Sequence, residues 1–305
     1  MHHSKPFNKK GFVFHGSCIT FISMQFLLYS HIFISLCAVA MAIETYAEFN
    51  KKISAAQIPV LVIIFFATYA MYNFKVLWQH IKPFWKIPSI GSAWIEANRK
   101  FIYLFFLTGV VCASISAFFL TGKQLFLFFL LSIISAWYYL PFLNISLIKI
   151  PFLKIFLISL VWNAVTVVIP VLGFDEIPAD FLFYFIYKFI WILALAVVFD
   201  IKDKSADKDN GIFTLPVLVG NSNTKKISIL MLLAGMVFSY ITMSFWFFVI
   251  ALISSIFAIK TITKVNAGTE SKYYLLQVDG LVLLQSVLNI IAVLASQRTD
   301  AINIF

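Results

Sequence analysis

The stretch FLFYFIYKFIWILALAVVFDIKDKSADKDNGIFTLP, residues 181–216, passes from an apolar environment to a charged one along a single helical phase. From Phe181 to Phe199 the one charged residue is Lys188, and roughly 20 apolar residues are what a helix needs to cross a ~30 Å hydrocarbon core. Asp200, Asp203, Asp207 and Asp209 then appear in quick succession, four of the 13 acidic residues in the chain. At ~100° per residue, Asp200, Asp203 and Asp207 fall within an arc of ~60° on one helix face, whereas Asp209 points away. Gly211 is suited to end the helix in a left-handed conformation, and Thr214-Leu215-Pro216 returns the chain toward the membrane.

Comparable apolar runs recur over the whole chain. Apolar residues make up 62% of it and charged residues 12%, too few to solvate a globule of 305 residues. Spans are expected near 21–43, 57–78, 101–120, 124–142, 151–173, 180–200, 226–243, 244–262 and 273–296. The fold class is therefore all-α, a polytopic membrane helical bundle of about nine transmembrane helices, with one domain over residues 1–305. Longer polar loops are expected at 79–100 and 201–225, both on the same side of the membrane.

The net charge of +10 has an explanation in topology. With the N-terminus in the cytoplasm, 18 of the 23 Lys and Arg residues fall on inside segments, as the positive-inside rule requires. An odd number of spans then puts the C-terminus outside. This balance calls for no nucleic acid. An apolar stretch comes after Lys5, Lys9 and Lys10, with Ala38, Ala40 and Ala42 resembling a cleavage site. It exceeds a signal h-region of about 7–15 residues, so an uncleaved first helix is expected. Cys18, Cys37 and Cys112 lie in or beside apolar segments without metal-ligand spacing, which indicates neither a disulfide framework nor a zinc site.

Three carboxylates on one helix face repel one another unless a cation sits among them. Oxygen-rich sites of this kind suit Mg²⁺, which commonly joins one or two carboxylates to a substrate phosphate. The plainer alternative is a solvated loop start in which Lys202, Lys204 and Lys208 pair with the acids. The residues C-terminal to the cluster favour a site. The run Asp200-Ile-Lys-Asp203-Lys-Ser-Ala-Asp207-Lys-Asp-Asn-Gly211-Ile-Phe-Thr214-Leu215-Pro216 resembles the second aspartate-rich motif of the UbiA superfamily of intramembrane prenyltransferases. Tyr139-Leu140-Pro141, followed by Lys149, Pro151 and the span with Trp162, is similar to that family's link between its fourth and fifth helices.

The resemblance implies a nine-helix layout with the N-terminus inside. It also implies two aspartate motifs facing each other across a cavity, where Mg²⁺ is held against an isoprenyl diphosphate. Asp200, Asp203 and Asp207 would be the catalytic and metal-binding residues. Asn73, Lys75, Tyr139, Lys149 and Asn163 would bind substrate. The first motif is reduced: Tyr72-Asn73-Phe74-Lys75-Val76-Leu77-Trp78-Gln79-His80-Ile81 keeps one Asn where an Asn-Asp pair and further acids are expected. Lys75, Lys82, Arg99 or Lys100 would then meet the diphosphate as fixed cations, or serve only as positive-inside residues.

Polar residues in apolar spans should face the bundle interior or a wet cavity. Asn163 suits either a cavity wall or an interhelical hydrogen bond, and Asp279 an interhelical hydrogen bond. Tyr138 and Tyr139 stand where the resemblance places cavity residues. The expected function is isoprenyl transfer from an isoprenyl diphosphate to a lipophilic or aromatic acceptor, a transferase of alkyl or aryl groups other than methyl. The setting is the plasma (inner) membrane of a bacterium. The alternative is a protein of the same fold that binds lipid or acts as an accessory subunit. A secondary transporter would need broken helices near mid-membrane, for which the spans supply few Gly or Pro residues.

Overall fold

The computed structural model describes residues 24–81, 92–140, 150, 152–266 and 268–302. Among them the regular structure is entirely helical. Nine long helices succeed one another: α1 (Ile32–Glu48), α2 (Ile58–Ile81), α3 (Arg99–Ala117), α4 (Gly122–Tyr139), α5 (Leu153–Val171), α6 (Phe181–Asp209), α7 (Leu215–Thr242), α8 (Phe245–Lys264) and α9, from Ser271 to Ile302. Seven of them, α2, α3 and α5 to α9, are long and apolar enough to cross a membrane. α4 is apolar but shorter, and α1 has 17 residues including Glu44 and Glu48. The expected nine spans are thus seven by this measure.

Two expected loops differ in structure. Within 201–225, α6 continues to Asp209 and α7 already begins at Leu215, with a break at Gly220, whose φ is +81°. Helical hydrogen bonding does not require apolar surroundings, so both helices extend past the apolar runs that define the spans. Of the loop expected at 79–100, residues 82–91 lie outside the described residues, and Ser92–Ala97 form a short helix. The tight junction between α7 and α8 is real: Met243 ends one helix, and the Ser244 hydroxyl accepts the Phe247 N–H to start the next.

Sequence neighbours pack side by side. α1 meets α2, α2 meets α3, α5 meets α6, and α6 to α9 pack in order, with α9 returning to α1. This arrangement leaves a space between the walls. Gly109 allows the close approach of α2 and α3: a Cβ there would sit 2.9 Å from the Ala70 Cβ. The bundle is dressed for lipid. Leu104, Phe126, Phe129, Leu182, Leu230 and Ile256 are exposed, whereas Thr45, Asn73, Asn163, Ser228 and Gln285 are buried. With no water in the hydrocarbon region, polar groups must find partners inside the protein.

Lys188, the charge interrupting the α6 span, is one of these. Its ammonium donates to Glu44 Oε2 on α1 at 2.5 Å and to Gln285 Oε1 on α9 at 2.9 Å. Ser286 and Asn289 donate to the same Glu44 carboxylate, and Gln285 donates to the Tyr187 hydroxyl oxygen.

Candidate functional site

Walls from α1 to α6 and α9 enclose a cavity of about 790 Å³. On α6 its lining residues include Ile192, Leu195, Ala196, Phe199, Asp200, Asp203 and Asp207, the spacing of a single helix face, with Lys202 at its edge. The acidic helix end therefore caps an apolar chamber. Asp209 is exposed, and Gly211 takes φ +70°. The Ile212 N–H donates to the Asp207 carbonyl at 2.8 Å, closing the helix as the sequence implies. Thr214 then caps α7 in extended conformation, with Pro216 in its first turn, where a missing N–H is harmless.

The charged end of the cavity holds Lys75, Lys154 and Lys202 as well as Asp200, Asp203, Asp207 and Asp279. Lys154, at the start of α5, places its ammonium 2.8 Å from Asp200 Oδ1 and 2.9 Å from Asp207 Oδ2. Lys202 lies 3.2 Å from Asp203. An ammonium thus stands between two of the three acids, which offsets part of their mutual repulsion. Lys75, on α2, has no ion-pair partner among the described residues, although Asp203, Asp207 and Asp279 act on it electrostatically.

A sequence profile of the UbiA prenyltransferase family matches residues 96–274. The chain belongs to this family. No curated protein matches the sequence. Solved structures give the same fold. One is of digeranylgeranylglyceryl phosphate synthase, at 17% identity and TM-score 0.55 over 90% of this chain and 99% of that one. Another is a UbiA homologue from Archaeoglobus fulgidus bound to DMAPP and Mg²⁺, at 10% identity and TM-score 0.59 over 88% and 98% of the two chains. A UbiA homologue from Archaeoglobus fulgidus bound to GPP and Mg²⁺ gives 12% identity and TM-score 0.60 over 88% and 99%. The chain is an integral membrane protein of the UbiA fold.

Against the UbiA expectation, the α2 side is the one that differs. Asn73 does not line the cavity: it is fully buried, its amide donates to the Ser30 and Tyr69 carbonyls at 3.1 and 2.8 Å, and its oxygen lies 3.4 Å from His31 Nδ1. These bonds tie α2 to the break before α1, where His31 has φ 65°. Asn163 likewise turns away from the cavity and donates to the Phe185 carbonyl at 2.8 Å, so of its two readings the interhelical bond is the one realised. Tyr138 and Trp162 do line the cavity. Arg99 and Lys100 are exposed at the start of α3, off the wall. Lys82 and Lys149 lie outside the described residues, as does the side chain of Tyr139.

Two site residues escaped the sequence reading. Lys154 counted there only as an inside charge, though a lysine shortly after the family's Pro151 link was a usable signal. Asp279, expected in an interhelical bond, faces the cavity instead. A π turn at Tyr274–Val278 immediately precedes it, and such a turn resets the face presented by the residues beyond it.

The donor set can be tested for Mg²⁺. Among the described residues no three His, Cys, Asp or Glu side chains converge on a common point. Mg²⁺ does not demand this, since it keeps several waters and binds through one or two carboxylates together with substrate phosphates. Asp200 Oδ2 is buried without a hydrogen-bond partner, and Asp203 shares its cavity. These two carboxylates fit one ion delivered with a diphosphate.

Proposed function

We propose that this protein is a membrane prenyltransferase that moves an isoprenyl group from an isoprenyl diphosphate to a lipophilic or aromatic acceptor. The observation that carries this reading is the division of one cavity into a charged end and an apolar chamber, which matches the two halves of an isoprenyl diphosphate. The whole chain acts as one domain, with its N-terminus cytoplasmic and its C-terminus outside, in the plasma membrane of a bacterium.

In the reaction the allylic C–O bond breaks with its electron pair leaving on the diphosphate. The acceptor's nucleophilic atom then bonds to the allylic carbon and loses a proton. Lys75, Lys154 and Lys202 stabilise the charge developing on the diphosphate, in a setting where fixed cations act more strongly than in water. Asp200 and Asp203 would hold Mg²⁺, which when bound supplies Lewis-acid stabilisation of the same oxygens. Phe74, Tyr138 and Trp162 line the cavity, and their aromatic rings can attract the allylic cation. The apolar wall of Ile34, Ile192, Leu195 and Val282 excludes water that would capture that cation.

The experiment is incubation of purified protein with labelled prenyl diphosphates of several lengths, with and without Mg²⁺, in the presence of candidate acceptors. Mg²⁺-dependent diphosphate release with a prenylated product is expected. A second reading, lipid binding or an accessory role without turnover, draws on the lack of any acidic residue in α2. It predicts saturable binding of the same compounds and no release. Neither binding nor release across the series would overturn both.

A further inference from the structure

We infer that this site takes its diphosphate with a single divalent cation on the α6 side, and that the Lys75 ammonium meets the phosphate directly on the α2 side. The inference rests on the prenyl-diphosphate reading above and deepens it.

Four observations converge. First, α2 has no acidic residue in any of its 24 positions, so it offers no anionic ligand to a metal ion. Second, its Asn73 amide is fully engaged by Ser30, Tyr69 and His31, away from the cavity. Third, among the residues that α2 places on the cavity wall the charged one is a cation, Lys75. A second divalent ion on that side would face an ammonium group, with no α2 carboxylate to hold it. Fourth, the lysines of the wall are not equivalent. Lys154 is held by Asp200 and Asp207, and Lys202 by Asp203, whereas Lys75 has no ion-pair partner among the described residues.

Asp279 does not supply the missing ligand set. It stands on α9 as a separate carboxylate, under the field of the Lys202 and Lys75 ammonium groups. The α6 side is different, because Asp200 retains a buried oxygen without a hydrogen bond and Asp203 is close in sequence and on the same face. A lysine serves phosphate as a compact point charge that needs no coordination geometry. Lys75 therefore can neutralise phosphate oxygens that no metal reaches.

The test counts metal ions and needs no turnover. The full-length protein in detergent is titrated with Mn²⁺ at saturating inorganic pyrophosphate, and free Mn²⁺ is followed by electron paramagnetic resonance. Pyrophosphate binding in EDTA is measured in parallel by calorimetry. One Mn²⁺ per chain is expected for the wild type, together with residual pyrophosphate binding in EDTA. Lys75→Met should keep one Mn²⁺ and weaken the EDTA binding by about tenfold or more, while Lys75→Arg retains it. Lys75→Asp should gain a second Mn²⁺. Two ions per wild-type chain, or Lys75→Met binding as tightly as wild type in EDTA, would overturn the inference and leave the transferase reading standing. Absence of pyrophosphate binding by the wild type with and without metal would overturn both.

Discussion

The Lys188 ammonium lies 2.5 Å from the Glu44 carboxylate, and neither side chain is more than 1% exposed. One belongs to α6 and the other to α1, and Gln285, Ser286 and Asn289 complete the network from α9. Three helices that wall the cavity are thus tied by one ion pair and the hydrogen bonds around it.

Removing one partner of a buried pair leaves an uncompensated charge, which costs about 3–5 kcal/mol, whereas replacing both by apolar residues of similar volume can be nearly neutral. Lys188→Met alone should therefore lower the thermal midpoint in detergent sharply. Glu44→Leu combined with Lys188→Met should recover much of the loss. Additive losses in the double variant would show that the pair is not coupled.

Lys154 separates Asp200 from Asp207 at 2.8 and 2.9 Å. Lys154→Met leaves two carboxylates without the cation between them and removes a charge that would stabilise the leaving group. Diphosphate release should fall by ~10²–10³-fold, the range for loss of one fixed electrostatic partner. Release within a few fold of wild type would argue against a role for Lys154.

The acids themselves offer an internal control. Asp200→Ala and Asp203→Ala should abolish Mg²⁺-dependent release, because both side chains line the cavity. Asp209→Ala, on the exposed side of the same helix end, should leave it unchanged. Equal losses in all three would mean that the helix end matters for stability and not for chemistry.

Gly109 and Ala70 set the distance between α2 and α3. A Leu at 109 would overlap the α2 backbone, since even a Cβ would approach Ala70 N at 3.0 Å. Overpacking of this kind costs about 1–3 kcal/mol. Gly109→Leu should lower the thermal midpoint, and since α2 also carries Lys75, it should weaken pyrophosphate binding.

Gln124 holds α4 in two ways. Its side-chain oxygen accepts the Thr121 N–H at 3.1 Å, as part of a capping box, and its amide donates to the Ile169 carbonyl of α5 at 2.9 Å. Gln124→Ala should destabilise the protein by about 1–3 kcal/mol, the cost of leaving the buried Ile169 carbonyl unsatisfied. Thr121→Ala, which leaves the Ile169 bond in place, should cost less in the same thermal assay.

How far the sequence was readable differs between the helices and their faces. The cluster at Asp200, Asp203 and Asp207, its shared face and the Gly211 stop are local features, so the helical period was enough to place them. The α7–α8 junction followed from apolar run length alone, which left almost no room for a turn. The extent of α6 and α7 beyond the apolar runs was not, since polar helix and polar loop have similar composition. The resemblance made Asn73 a site residue and left Asn163 either a cavity wall or a helix tie, yet each bonds a helix neighbour. Asp279 read as a helix tie, yet it faces the chamber.

The sequence by itself determined that the chain crosses a membrane repeatedly, that its acids gather at one helix end, and that α2 lacks the carboxylates opposite them. These properties come from apolar run length, helical spacing and residue identity. Tertiary structure alone decided which side chains meet: Lys154 between Asp200 and Asp207, Lys188 against Glu44, Lys75 on the cavity wall, and Asn73 off it. The physical reason is that helix rotation is set by packing between segments far apart in sequence. In lipid, each buried polar group must also find its partner across that packing.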